Sequence, residues 1–128
     1  MIVLLDTSTP VCNLTLIDGD WHYDTSWESG RELAKGLLGY LETNLNESNK
    51  TWTDITGIVA FQGPGSFTGL RIGLTVLNTI ADANDVPIVG ATGDDWQNQG
   101  LARLSNSEND QLVLPEYGGE PHITQPRK

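Results

Sequence analysis

Apolar and polar positions fall into two alternating rhythms along the first half of this chain. Residues 2–5 are an unbroken apolar run that stops at Asp6-Thr7-Ser8, the pattern of a short buried strand closing in a polar turn. Cys12, Leu14 and Leu16 then alternate with Asn13 and Thr15, and Trp21, Tyr23, Thr25 and Trp27 alternate in turn beyond Asp18-Gly19. An Asp-Gly pair between two such segments predicts a β-hairpin. At Ser29 the period changes: Ser29-Gly30-Arg31-Glu32 has the form of a capping box, and Leu33, Leu37, Leu41 and Leu45 follow at every fourth position with Leu38 beside them. A helix of roughly four turns, ending near Asn46, is expected.

The second half repeats strand and helix. Ile58-Val59-Ala60-Phe61 is a continuous apolar run, as in a strand covered on both faces. Gly63-Pro64-Gly65-Ser66 breaks it, and Leu70, Leu74, Leu77 and Ile80 mark one side of a helix from Ser66 to about Asp82. Val86-Pro87-Ile88-Val89 reads as a short last strand, with Pro87 marking an edge or a strand start. Strand, helix, strand is a βαβ unit, which brings parallel strands into the sheet. Thr92-Gly93-Asp94-Asp95 offers a cap for one more short helix through about Leu104, and residues 105–128 read as an extended tail. The expectation is an α/β fold: residues 1–104 as one lobe with a mixed five-stranded sheet and helices packed on it.

Length and composition narrow the function. A chain of 128 residues suffices for one core. Its 38% hydrophobic and 19% charged residues are ordinary for a globular domain, with no apolar run long enough to span a bilayer. The N-terminus lacks the basic segment of a secretion signal, so a cytoplasmic location without membrane association is expected. Seventeen acidic against seven basic residues give a net charge of −10, which repels polyphosphate. No basic cluster exists outside Arg127-Lys128, so direct nucleic-acid binding is not expected. Cys12, alone in its alternating strand, reads as a small buried side chain rather than a reactive thiol.

The most specific segment is Gly63-Pro64-Gly65-Ser66-Phe67-Thr68-Gly69-Leu70-Arg71-Ile72-Gly73. It is glycine-rich and feeds a helix, yet it lacks the spacing and the lysine of a Walker loop. Gly65, Gly69 and Gly73 are four apart, so within a helix they share one face, at a cost of about 0.5–1 kcal/mol each relative to alanine. Such a row permits close approach of another backbone, either from the chain's own sheet or from a partner's helix. Gly36 and Gly39 in the preceding helix favour the partner.

Together with Asp6-Thr7-Ser8 after the first strand, this segment resembles the signature of the TsaB (YeaZ) family over about residues 1–104. The resemblance implies the ribonuclease H-like, actin-like ATPase (ASKHA) fold. It also implies a non-catalytic scaffold that dimerises and binds TsaD, which transfers threonylcarbamoyl to an adenosine of tRNA, with TsaE as a further candidate partner. tRNA would be reached only through the complex. In the family the two long helices of the first lobe form the partner surface, here residues 31–45 and 66–82. The implied partner-binding set is Leu33, Leu37, Leu41, Gly65, Phe67, Gly69, Leu70, Arg71 and Gly73, with Leu37 and Leu41 expected on an exposed apolar face. Family members carry a second lobe of similar fold where only some twenty-five residues follow Leu104 here. The tail positions Pro115, Tyr117, Thr124, Pro126 and Lys128 nevertheless resemble the family's closing pattern, the form of an internally shortened member.

An alternative is a minimal ATP-binding phosphotransferase or ATPase built on Asp6, Thr7 and Ser8, the position of the metal-orienting acid and phosphate loop in actin-like ATPases. Thr9-Pro10 stands where those enzymes have hairpin glycines. Residues 29–46 contain no histidine to match the metal pair of TsaD, and His22 and His122 lie a hundred residues apart. Neither a metal nor another cofactor is expected.

Overall fold

The structure, a computed structural model, describes residues 1–116. Three strands open it: β1 (Ile2–Asp6), β2 (Val11–Asp18) and β3 (Trp21–Glu28). Helix α1 (Leu33–Glu47), β4 (Gly57–Gly63), α2 (Phe67–Asn84), β5 (Ile88–Thr92) and α3 (Trp96–Ser105) follow. The sheet order is β3-β2-β1-β4-β5, with the β1/β2 and β2/β3 pairs antiparallel and the β1/β4 and β4/β5 pairs parallel. This is the mixed five-stranded sheet expected from the hairpin and the βαβ unit.

Strand alternation divides the core between the two faces. Val3 and Leu5 of β1 join Cys12, Leu14 and Leu16 of β2 beneath α1 and α2, while Leu4 turns to the opposite face with Val59, Phe61, Val89 and Trp96. Phe61 and Trp96 meet edge to face, their ring centres 5.4 Å apart, which seats α3 on β4 and β5. Burial pushes the Cys12 thiol up to about 12, aided by the Asp6 carboxylate, so the group stays protonated and inert at neutral pH.

The capping box at Ser29 does not form. Ser29 has helical backbone angles, whereas a cap residue needs extended ones, and its hydroxyl donates to the Pro10 carbonyl instead (3.1 Å). Gly30–Glu32 makes a 3-10 turn, so α1 starts later than the sequence predicts. Ser66 does cap α2, its hydroxyl accepting from the Gly69 N–H (3.3 Å).

The beginning of the expected tail belongs to the lobe. Residues 109–116 run as a strap along β5, with Val113 1% exposed and part of the core. Asn78 of α2 brackets Val113 at both its N–H and its C=O, each 2.9 Å away. The Asn109 and Asp110 side chains accept from the Ile88 and Gly90 N–H groups (3.1 and 2.9 Å), and the Asp110 N–H donates to the Ile88 carbonyl (2.8 Å). Arg103 ties the strap down by donating to Glu108, to both Asp110 oxygens and to the Gly90 carbonyl. Further on, the Glu116 N–H donates to the Gln62 carbonyl (2.7 Å). Tyr117, His122, Thr124, Pro126 and Lys128 lie outside the described residues.

Candidate partner-binding face

The turn after β1 and the start of α2 form a single packed unit. The Asp6 carboxylate accepts from the Ser8 N–H (2.8 Å), the Ser66 N–H donates to the Ser8 carbonyl (2.9 Å), and the Thr7 hydroxyl donates to the Gly69 carbonyl (2.7 Å). A side chain added at Gly65 would collide with Ser8, and one at Gly69 or Gly73 with Thr7. The glycine row is therefore a close approach within the chain, between α2 and the β1 turn. It does not face a partner's helix, which corrects the assignment of Gly65, Gly69 and Gly73 to a partner surface. In α1, Gly36 lies against the Trp27 ring, and only Gly39 faces open space.

The same packing bears on the nucleotide candidate. Thr7 and Ser8 are 3% and 7% exposed beneath the first turn of α2, while Asp6 is half-buried. Among the described residues no group of three or more His, Cys, Asp and Glu side chains is placed to hold a metal ion.

Leu33, Leu37 and Leu41 of α1 and Leu70 of α2 are also corrected. All four are buried in the chain's own core, because a sheet of this width has enough face to cover the inner stripes of both helices. What the two helices leave outside is Leu38 together with two members of the expected set, Phe67 and Arg71. Leu38 is 57% exposed on α1 and Phe67 53% exposed on α2, with the Arg71 guanidinium 5.3 Å from the Phe67 ring centre. Between the helices lies a groove of about 440 Å³ lined by Ala34, Thr68, Arg71, Ile72, Thr75 and Val76. Across α2, a second groove of about 430 Å³ shares Arg71 and Thr75 and is walled by Leu112 and Leu114 of the strap. Of the expected partner set, Phe67 and Arg71 are thus exposed on the outer helical face. Leu38 was visible in the sequence, but its position beside the leucine stripe obscured its outward direction.

Comparison with known proteins decides the family. A family model described as "TsaD: tRNA N6-adenosine threonylcarbamoyltransferase" matches residues 28–92, about half the chain. The Escherichia coli K12 protein named "tRNA threonylcarbamoyladenosine biosynthesis protein TsaB" is 29% identical over 110 residues, 80% of this chain and 47% of that protein. Its Bacillus subtilis namesake is 46% identical over 90 residues, 68% of this chain and 38% of that protein. The solved structure of YeaZ from Pseudomonas aeruginosa superposes with a TM-score of 0.65 at 27% identity, covering 71% of this chain and 42% of that one. The chain belongs to the TsaB family. Its sheet and helices are accordingly a lobe of the ribonuclease H-like, actin-like class. This TsaB-family chain spans about half or less of the length of these curated relatives.

Proposed function

We propose that the chain acts in threonylcarbamoyladenosine biosynthesis as a non-catalytic partner subunit, docking on TsaD through the outer face of α1 and α2. The observation that carries this reading is the exposed apolar and aromatic surface of Leu38 and Phe67 beside the Arg71 groove. Apolar and aromatic side chains with arginine are the usual composition of interface centres. The net charge of −10 supports a role in which another subunit holds the tRNA. In isolation the same face pairs with a second copy. The pseudo-enzyme reading is supported by Thr7 and Ser8 being enclosed by the chain's own packing.

Co-purification of the chain with TsaD of the same organism, followed by calorimetric titration, tests the proposal. Leu38→Asp and Phe67→Asp, both at exposed positions, should leave the fold intact and weaken association at least about tenfold. Association indifferent to both substitutions would remove the assigned face. ATP hydrolysis by the chain alone, lost in Asp6→Ala, would replace the scaffold reading with an enzymatic one.

A further inference from the structure

Among the described residues nothing covers the second edge of the sheet, β3. Asp18 and Trp21 close the hairpin across a two-residue turn, so they form a hydrogen-bonded pair, and the pairing then alternates along β3. Trp21, Tyr23, Thr25 and Trp27 turn their backbone groups toward β2, and the Ser29 N–H continues this parity by donating to the Pro10 carbonyl (3.0 Å). The N–H and C=O groups of His22, Asp24 and Ser26 consequently point away from the sheet. Among the described residues no hydrogen bond reaches them. β3 is eight residues long, in continuous register with β2, and carries no proline or lysine. An edge of this kind is a template for strand addition.

We infer that the β3 edge receives an extended segment of a partner protein bearing lysine or arginine at alternate positions. Side chains on one face of an added antiparallel strand would stand about 5 Å from their opposite numbers. On the solvent face those are His22, Asp24, Ser26 and Glu28, all exposed. His22 sits 3.0 Å from the Asp24 carboxylate, while Glu28 has no ion-pair partner among the described residues. Basic residues entering here meet two carboxylates and a chain of net charge −10. On the other face the added strand meets Tyr23, Thr25 and Trp27, with Trp27 stacked on Tyr40 (5.0 Å), so the intervening positions suit apolar or aromatic side chains. Backbone pairing supplies affinity and the alternating faces supply selectivity, the usual logic of β-augmentation. The site is separate from the α1/α2 face and does not depend on it.

The test uses the full chain and two peptides of about ten residues, one alternating lysine with valine and one alternating glutamate with valine. Amide exchange is read by NMR at His22, Asp24 and Ser26. In the chain alone these amides should exchange rapidly, and the lysine peptide should slow them at least about tenfold while the glutamate peptide does not. Ser26→Pro removes an outward N–H without touching the β2 ladder, so it should keep the fold, abolish peptide binding and leave TsaD association unchanged. Glu28→Lys should weaken the lysine peptide at least about tenfold. Equal binding of both peptides, or binding that survives Ser26→Pro, overturns the inference. So does protection of these amides before peptide is added, with sedimentation then distinguishing a second copy from the chain's own terminal segment as the occupant.

Discussion

The two edges of this sheet solve the same physical problem in opposite ways. Every edge strand presents a row of N–H and C=O groups that water or another chain must satisfy. At β5 the chain satisfies them itself, and largely with side chains: Asn109 and Asp110 accept, Arg103 donates, and Asn78 holds the strap that carries the first two. Even the Thr92 carbonyl is met, by the Gln99 side chain at 2.9 Å. At β3 the corresponding groups of His22, Asp24 and Ser26 meet nothing among the described residues. The difference shows that edge protection here is local and specific, and that a strap without regular secondary structure can serve where a sixth strand would otherwise be needed.

The largest effect should come from detaching the strap. Val113→Asp places a carboxylate in an apolar site that is 1% exposed, and should lower stability by about 3 kcal/mol or more unless the strap peels away. Thermal unfolding reads the first outcome, and amide exchange at Ile88 and Gly90 reads the second. If neither changes, the strap is not a working part of the lobe and the two edges are alike.

Next in size is a pair of substitutions at adjacent positions on β3. Thr25→Pro removes a donor that faces β2 and should cost about 3 kcal/mol, combining the orphaned Leu14 acceptor with disruption of the ladder by the ring. Ser26→Pro, one residue on, should cost under about 1 kcal/mol. Comparable losses in urea unfolding would mean that the outward groups of β3 are already bonded.

These elements differ in how far the sequence disclosed them. The strands, the hairpin and the two long helices were legible because their apolar periods arise from burial on one or two faces, and burial is what the core imposes. The direction of the glycine row was not legible. Gly65, Gly69 and Gly73 announce a close approach, but only the position of Thr7 and Ser8 under α2 shows that the approaching backbone is the chain's own. A similar ambiguity hid the partner face, since a helix stripe of Leu33, Leu37 and Leu41 looks the same whether it meets a sheet or a second subunit. The strap escaped because its contacts are made by Asn78, Arg103, Asn109 and Asp110, polar residues with no period of their own. Ser29 misled for a related reason: its capping pattern was present, but Pro10 had the stronger claim on its hydroxyl.

A smaller effect is expected from Arg103→Ala. Its guanidinium is part exposed, so its ion pairs with Glu108 and Asp110 are screened, yet its bond to the Gly90 carbonyl is directed and partly buried. A loss of about 1–2 kcal/mol in chemical unfolding is expected, with faster amide exchange confined to β5. If exchange at β3 rose equally, the two edges would be coupled rather than independently defended.

The smallest effect is a pH dependence carried by Asp110. The Arg103 side chain, first through its hydrogen bond and further through its charge, holds the Asp110 carboxyl below its ordinary value of 3.8, assisted by the Gly90 N–H and opposed by partial burial. A carboxyl lowered in the folded state binds its proton more weakly there than in the unfolded chain, so it stabilises the fold once both states are ionised. That contribution is fully present above about pH 3.8 and disappears as the pH falls through the lower folded value. Protection of the Gly90 amide, whose acceptor is the Asp110 oxygen at 2.9 Å, should therefore decline below pH 3.8 in the native chain. In Asp110→Asn the acid-dependent part should vanish, because an amide oxygen still accepts from Gly90 but does not titrate. The amides of His22, Asp24 and Ser26, which meet no partner among the described residues, should show no matching step in their protection factors. A step at β3 in the same window, persisting in Asp110→Asn, would assign the acid sensitivity to the whole sheet and remove Asp110 as the guard of its edge.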